Sequence, residues 1–236
     1  MKFPAPLIPG TLIKRYKRFL ADVELSGGEI VTAHCPNTGS MLSVSAPGSA
    51  VWLSPARTPG RKLAYTWELI QVGDTLVGIN TSMSNALVEE AIGNGTIAEL
   101  AAYPVIRREV RYGKNSRIDL LLESEGLPTC FIEVKNVTMK RNQKASSAVE
   151  FPDAVTTRGA KHLAELTDMV SQGARAMMVY LVQRRDGGQF SIAADIDPAY
   201  AMALGAAMAA GVEVLCYRCR VAAERIDVTA PLGMEL

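Results

Sequence analysis

The feature that most limits what this chain can fold into is a change of rhythm near residue 84. Before it the sequence is a series of short runs of alternating or β-branched apolar residues, at 19–25, 29–33, 50–54, 67–72 and 75–79, punctuated by Gly, Pro and Asn. Closely spaced runs of this kind predict strands, and several in so short a stretch predict a small barrel or sandwich. From Ser84 the period lengthens. Leu87, Val88, Ala91 and Ile92 share one helical face, with Ser84 or Asn85 placed to cap the first turn. The order expected beyond is helix 85–101, strands 105–112, 117–123 and 129–135, helix 157–172, strand 175–182, helix 197–210 and strand 212–217, a mixed α/β arrangement. Two domains are therefore expected, 1–84 and 85–236. The polar, basic stretch 136–151 has no apolar period and predicts a mobile loop.

Of the 236 residues 48% are hydrophobic, which excludes a disordered chain. The charge, 25 Lys and Arg against 24 Asp and Glu, is +1 and excludes binding to nucleic acid or anionic membrane through uniform basicity. It is unevenly spread: residues 1–84 carry eight basic and five acidic groups, and residues 2–18 carry five basic groups and no acid. Pro4, Pro6, Pro9 and Gly10 interrupt the apolar N-terminal stretch, and the Ala-rich run 199–210 falls short of the roughly 20 residues that span a bilayer. A cytoplasmic protein without a membrane partner is expected.

Four cysteines, at 35, 130, 216 and 219, are too few and scattered for a disulfide framework. Cys216 and Cys219 form C-x-x-C, but on a strand the two point to opposite faces, which argues against a zinc or redox pair. His34, Cys35 and Asn37 offer a nucleophile reading, set against a plain turn at Pro36-Asn-Thr-Gly.

The chemistry gathers on two predicted strands. In Arg117-Ile-Asp-Leu-Leu-Leu, alternation sets Arg117 and Asp119 on one face; in Phe131-Ile-Glu-Val-Lys-Asn it sets Glu133 and Lys135 together. Paired as a hairpin through Glu125-Gly126, the strands bring Asp119 and Glu133 onto one divalent cation with Lys135 beside them. Hard carboxylate oxygens suit Mg2+ or Mn2+, and a lysine there can orient water and offset charge at a phosphate, as phosphodiester hydrolysis needs. On the helix that follows, Arg158, Lys161 and His162 share a face that can hold a DNA phosphate. A solvated, charged strand or helix face is the competing reading of both patterns.

These residues carry a resemblance. Arg15-Tyr-Lys-Arg-Phe-Leu-Ala-Asp, His34-Cys-Pro-Asn-Thr-Gly-Ser-Met, Ser116-Arg-Ile-Asp, Glu133-Val-Lys and Phe151-Pro-Asp-Ala-Val-Thr-Thr-Arg-Gly-Ala-Lys-His-Leu together resemble the sugar fermentation stimulation protein A family over nearly the whole chain. The resemblance implies an N-terminal OB-like barrel, a PD-(D/E)xK nuclease-like α/β domain with a mixed central sheet, and DNA binding with little sequence preference. It makes Asp119 the motif aspartate, Glu133 the acid and Lys135 the lysine, with a further acid from the preceding helix at Glu90, which helical geometry does not separate from Glu89. On an OB-like barrel Arg15, Lys17, Arg18, Arg61 and Lys62, with Arg57, are candidate DNA contacts, and Tyr16 a candidate stacking residue; Arg117, Arg158 and Lys161 join them near the acids.

Two functions follow as expectations. One is a DNA-binding, Mg2+-dependent nuclease; the other is a non-catalytic DNA-binding regulator linked to sugar (maltose) metabolism. Whether the chain forms a homodimer is left open.

Overall fold

The structure is a computed structural model and describes residues 1–56, 60–113, 116–142, 144 and 146–236. Arg57 lies outside the described residues.

Alternation builds the first unit from β1 (Ile8–Tyr16), β2 (Leu20–Leu25), β3 (Ile30–His34), β4 (Ala50–Pro55), β5 (Tyr65–Val72) and β6 (Thr75–Gly78). Ala21 and Val23 of β2 and Val51 and Leu53 of β4 point into a core with Leu12, Trp67 and Ile70. Strands β3-β2-β1-β4-β5 pair antiparallel, and a parallel β3–β5 contact closes the ring. The result is a closed five-stranded OB barrel, with β6 continuing from β5.

Strand β1 was not among the expected runs, because Pro9 and Gly10 read locally as turn residues. It forms because it pairs on both sides, with β2 and with β4. Gly10 is needed for that approach: a Cβ there would lie 2.6 Å from Val23 Cγ1 and 2.8 Å from the Glu24 carbonyl oxygen. Gly10→Ala is therefore expected to lower unfolding free energy by about 1–3 kcal/mol, measured by urea denaturation. An unchanged midpoint would show that the strands separate freely.

The second unit comprises α1 (Ser84–Gly93), β7 (Val105–Tyr112), β8 (Ser116–Glu123), β9 (Cys130–Val137), β10 (Val149–Phe151), α2 (Thr157–Ser171), β11 (Arg175–Val182), β12 (Phe190–Ile192), α3 (Pro198–Ala209), β13 (Glu213–Val221), β14 (Ile226–Pro231) and β15 (Met234–Glu235). Its six-stranded sheet runs β14-β13-β11-β9-β8-β7 and is mixed: β9, β11 and β13 are parallel and the rest antiparallel. The near-continuous apolar run of β11 is buried on both faces, as a central parallel strand requires. Met177, Val179 and Leu181 pack with Leu87 and Val88 of α1, while Met178, Tyr180 and Val182 pack with Leu163 of α2 and Leu204 of α3. The fold is thus an OB barrel followed by a mixed α/β domain.

Several expectations need correction. The helix expected over 85–101 ends at Gly93, since Gly95 takes φ +77° and a short 3-10 turn, Ala98–Leu100, follows. The stretch expected to be a mobile loop is tied down where described: β9 runs to Val137, Met139 bridges Glu150, and the Lys140 side chain is fully buried. Its polar residues read as solvent-facing because hydrophobicity cannot see that a buried cation, here Lys140, has an ionic partner distant in the chain, Asp186. The first residues of the span 1–84 lie with the second unit, Lys2 bridging Arg225 and the Phe3 N–H donating to the Glu224 carbonyl. Cys216 and Cys219 do face opposite cores, and burial pushes the Cys216 thiol up to about 12. Among the described residues no helix is long and apolar enough to cross a membrane.

Candidate metal and nucleic-acid site

The site is set by strand register. Pairing Leu120 with Ile132 places Asp119 beside Glu133 and Val134 on the neighbouring strand. Asp119 Oδ2 accepts from the Val134 N–H at 2.8 Å, and Oδ1 accepts from Asn85 Nδ2 at 3.0 Å. Glu133 is only 3% exposed. Its Oε1 accepts from Lys135 Nζ at 2.7 Å and contacts His162 Nδ1, whereas its buried Oε2 has no hydrogen-bond partner. Arg158 Nε donates to His162 Nε2 at 3.2 Å, so that nitrogen is the acceptor and the ring proton sits on Nδ1, facing Glu133.

The two carboxyls are driven apart electrostatically. Burial, then the charge of Glu133, raises Asp119 above the usual aspartate range, against the opposing Val134 and Asn85 hydrogen bonds. Burial also pushes Glu133 up, but His162 and Lys135 outweigh it and hold Glu133 below its ordinary value. Adjacent acids whose surroundings push them in opposite directions are a pattern found at functional sites. They line a cleft of about 350 Å3 between Asn37, Thr38 and Gly39 of the barrel and the second unit. Among the described residues no group of three His, Cys, Asp or Glu side chains is placed to hold a metal ion.

The structure thus gathers Asp119, Glu133 and Lys135, with Arg158 on the wall. It does not bring Glu90 to them: Glu90 lies 2.9 Å from the terminal amine of Met1, and Glu89 pairs with Arg108. From the first turn of α1, Asn85 reaches Asp119 and Ser84 also lines the cleft, and the helix then packs against β14. Neither Asn85 nor the inward role of His162 was anticipated; capping and a phosphate-facing surface were the local readings. The available signal was the position of His162 next to Leu163 and four residues before Leu166, on the apolar side of an amphipathic helix.

Arg15 is committed to the fold, its guanidinium donating to the carbonyls of Arg18, Asn37, Gly39 and Ser40. Lys17 and Arg18 form the β1–β2 turn, and Arg61 and Lys62 lie in the β4–β5 connection, the two loops with which OB barrels engage oligonucleotides. Arg61 also donates to Thr66 Oγ1. Arg117 is exposed on β8, and Lys161 Nζ lies 3.3 Å from Ser116 Oγ. Tyr16 donates to Asp22 and lies under Lys14, so its ring is already engaged. The nucleophile reading fails: Cys35 is buried in the barrel core against Met41, and Asn37 Oδ1 accepts from the Gly39 N–H.

Residues 13–79 match the SfsA N-terminal OB domain, and residues 82–225 match the Sugar fermentation stimulation protein RE domain. The chain belongs to the sugar fermentation stimulation protein family. Similar relatives, each called a sugar fermentation stimulation protein homolog, come from Paramagnetospirillum magneticum, 59% identical over 100% of this chain and 98% of the relative, and Rhodospirillum rubrum, 60% identical over 94% and 93%. Among solved structures, Pyrococcus furiosus SfsA in complex with Ca2+ superposes with a TM-score of 0.89 at 27% identity, covering 100% of this chain and 98% of that one. The family assignment accounts for both units, the barrel and the mixed-sheet domain.

Proposed function

We propose that this protein binds DNA with little sequence preference and hydrolyses phosphodiester bonds with a divalent cation, Mg2+ or Mn2+, held by Asp119 and Glu133. The observation that carries the proposal is the pair of adjacent carboxyls with opposed shifts, one keeping a buried, unpartnered oxygen, at the floor of a cleft beside Lys135. The donor set fits the ion: hard oxygens, few protein ligands and room for the waters Mg2+ retains. The Ca2+ of the archaeal relative supports a divalent cation on this scaffold without choosing among ions.

When bound, such a cation polarises a phosphate oxygen and acidifies a water. Lys135, anchored on Glu133, offsets negative charge developing on the phosphate. His162 fixes the Glu133 carboxylate, and Arg158 fixes the His162 tautomer while carrying positive charge at the cleft wall. Lys17, Arg18, Arg61 and Lys62 on the barrel loops, with Arg117 and Lys161, supply phosphate contacts, which position DNA without reading bases.

The test is incubation with single-stranded, nicked and duplex DNA in Mg2+, Mn2+ or chelator. Metal-dependent cleavage that Asp119→Ala abolishes is expected, with binding that weakens steeply as salt rises. Cleavage undiminished in Asp119→Ala would overturn the assignment. Salt-sensitive binding without turnover in any metal would favour the non-catalytic regulator.

A further inference from the structure

Next to the cleft that holds Glu133 lies a second one of about 550 Å3. The two share Thr38, Gly39, Asp153 and Arg158, so they are adjoining chambers with a common wall. At that wall the barrel touches the loop before α2: Ser40 Oγ donates to the Asp153 carbonyl at 2.5 Å, and the Met41 N–H donates to Asp153 Oδ2 at 2.8 Å. Gly39 permits this closeness, since a Cβ there would lie 2.8 Å from Asp153 Oδ2.

The second chamber is lined by Arg15, Arg18 and Arg158. Arg15 contributes charge although its Nη1 and Nη2 groups already donate to backbone carbonyls, and Arg18 is exposed. Beside Arg18 stands Phe19, a large aromatic left 50% exposed. The turn that presents them carries Lys17 and Arg18 in the left-handed region, at φ 48° and 62°. Consecutive non-glycine residues there are strained, and the strain here brings no core packing.

We propose that the two chambers form one path for a single, unpaired DNA strand, entering over Phe19 and Arg18, passing Arg158 and ending at Glu133. The inference rests on the nuclease reading and names its substrate as single-stranded. The two chambers, about 350 and 550 Å3, fall in the range of small-molecule pockets, about 300–1,000 Å3, the scale of individual nucleotides. Basic walls track phosphates, and an exposed ring stacks on bases whose faces are free; a duplex hides those faces within its own stack.

Fluorescence anisotropy of the full chain in EDTA tests this, with labelled oligothymidylate against a labelled DNA hairpin of equal length. The single strand is expected to bind on the order of tenfold more tightly, and Phe19→Ala to weaken it by a similar factor while leaving the hairpin unchanged. Phe19 is exposed, so the variant folds as the parent does. Equal or tighter binding of the hairpin, or a preference that survives Phe19→Ala, overturns the inference and leaves the DNA reading standing. Binding of neither probe removes both.

Discussion

Glu133→Gln is expected to slow DNA hydrolysis about 10²–10³-fold while DNA affinity measured in chelator stays level or rises. Glu133 is where the site's connections meet: Oε1 holds Lys135 and His162, and Oε2 is the buried oxygen with no partner. The amide keeps the shape and an acceptor oxygen but removes the charge, so Lys135 loses its ion pair and a cation would lose one of two carboxylates. Binding should not suffer, because the change removes a negative charge from a cleft that receives phosphates. A loss of affinity equal to the loss of rate would place Glu133 in binding instead. The substitution also carries a pH signature. Because the folded carboxyl lies below its ordinary value, its charge contributes stability that is complete above the unfolded value and lost as pH falls through the folded one. The parent should therefore lose more stability than the glutamine variant on acidification through that window.

Asp186→Ala is expected to cost about 3–5 kcal/mol, a large share of the stability of an ordinary domain, read from urea or thermal unfolding. Arg184 and Lys140 are both fully buried, and Asp186 is the carboxylate they share: Arg184 Nε donates at 2.7 Å, Nη2 at 2.8 Å, and Lys140 Nζ at 3.2 Å. Without it the fully buried Arg184 guanidinium loses the carboxylate that takes two of its N–H groups. The contact from Arg184 to the Thr138 carbonyl remains, but a carbonyl does not carry the balancing charge. The Asp186 pKa is lowered: burial pushes it up, and Arg184 and then Lys140 outweigh that effect. Its contribution is thus complete above the usual aspartate range and fades as pH falls through the lowered folded value. A cost below about 1 kcal/mol would mean that water enters and solvates the cations.

Much of the site was legible before the fold was known. Two-residue alternation placed Asp119 opposite its apolar neighbours and Glu133 with Lys135, and the short connection between the strands made an antiparallel pair the simplest register. The same reasoning read Cys216 and Cys219 as facing apart. It failed where a position depends on how one element rolls against another. Helix α1 offers Glu89 and Glu90 at equivalent angles to its apolar stripe, yet the packing turns both away and leaves Asn85 at Asp119. Arg15 looked like a free phosphate contact because nothing local shows four carbonyls converging on it.

By itself, then, the sequence determined a barrel-type first unit, a mixed α/β second unit and which carboxylates and lysine lie on one strand face, because strand and helix periods belong to the local backbone. Tertiary structure alone decided that His162 turns inward to Glu133, that Lys140 and Arg184 are buried, and that the barrel loop at Gly39 meets Asp153 beside the site. Those outcomes depend on long-range packing and on charges finding partners distant in the chain, and no local pattern encodes them.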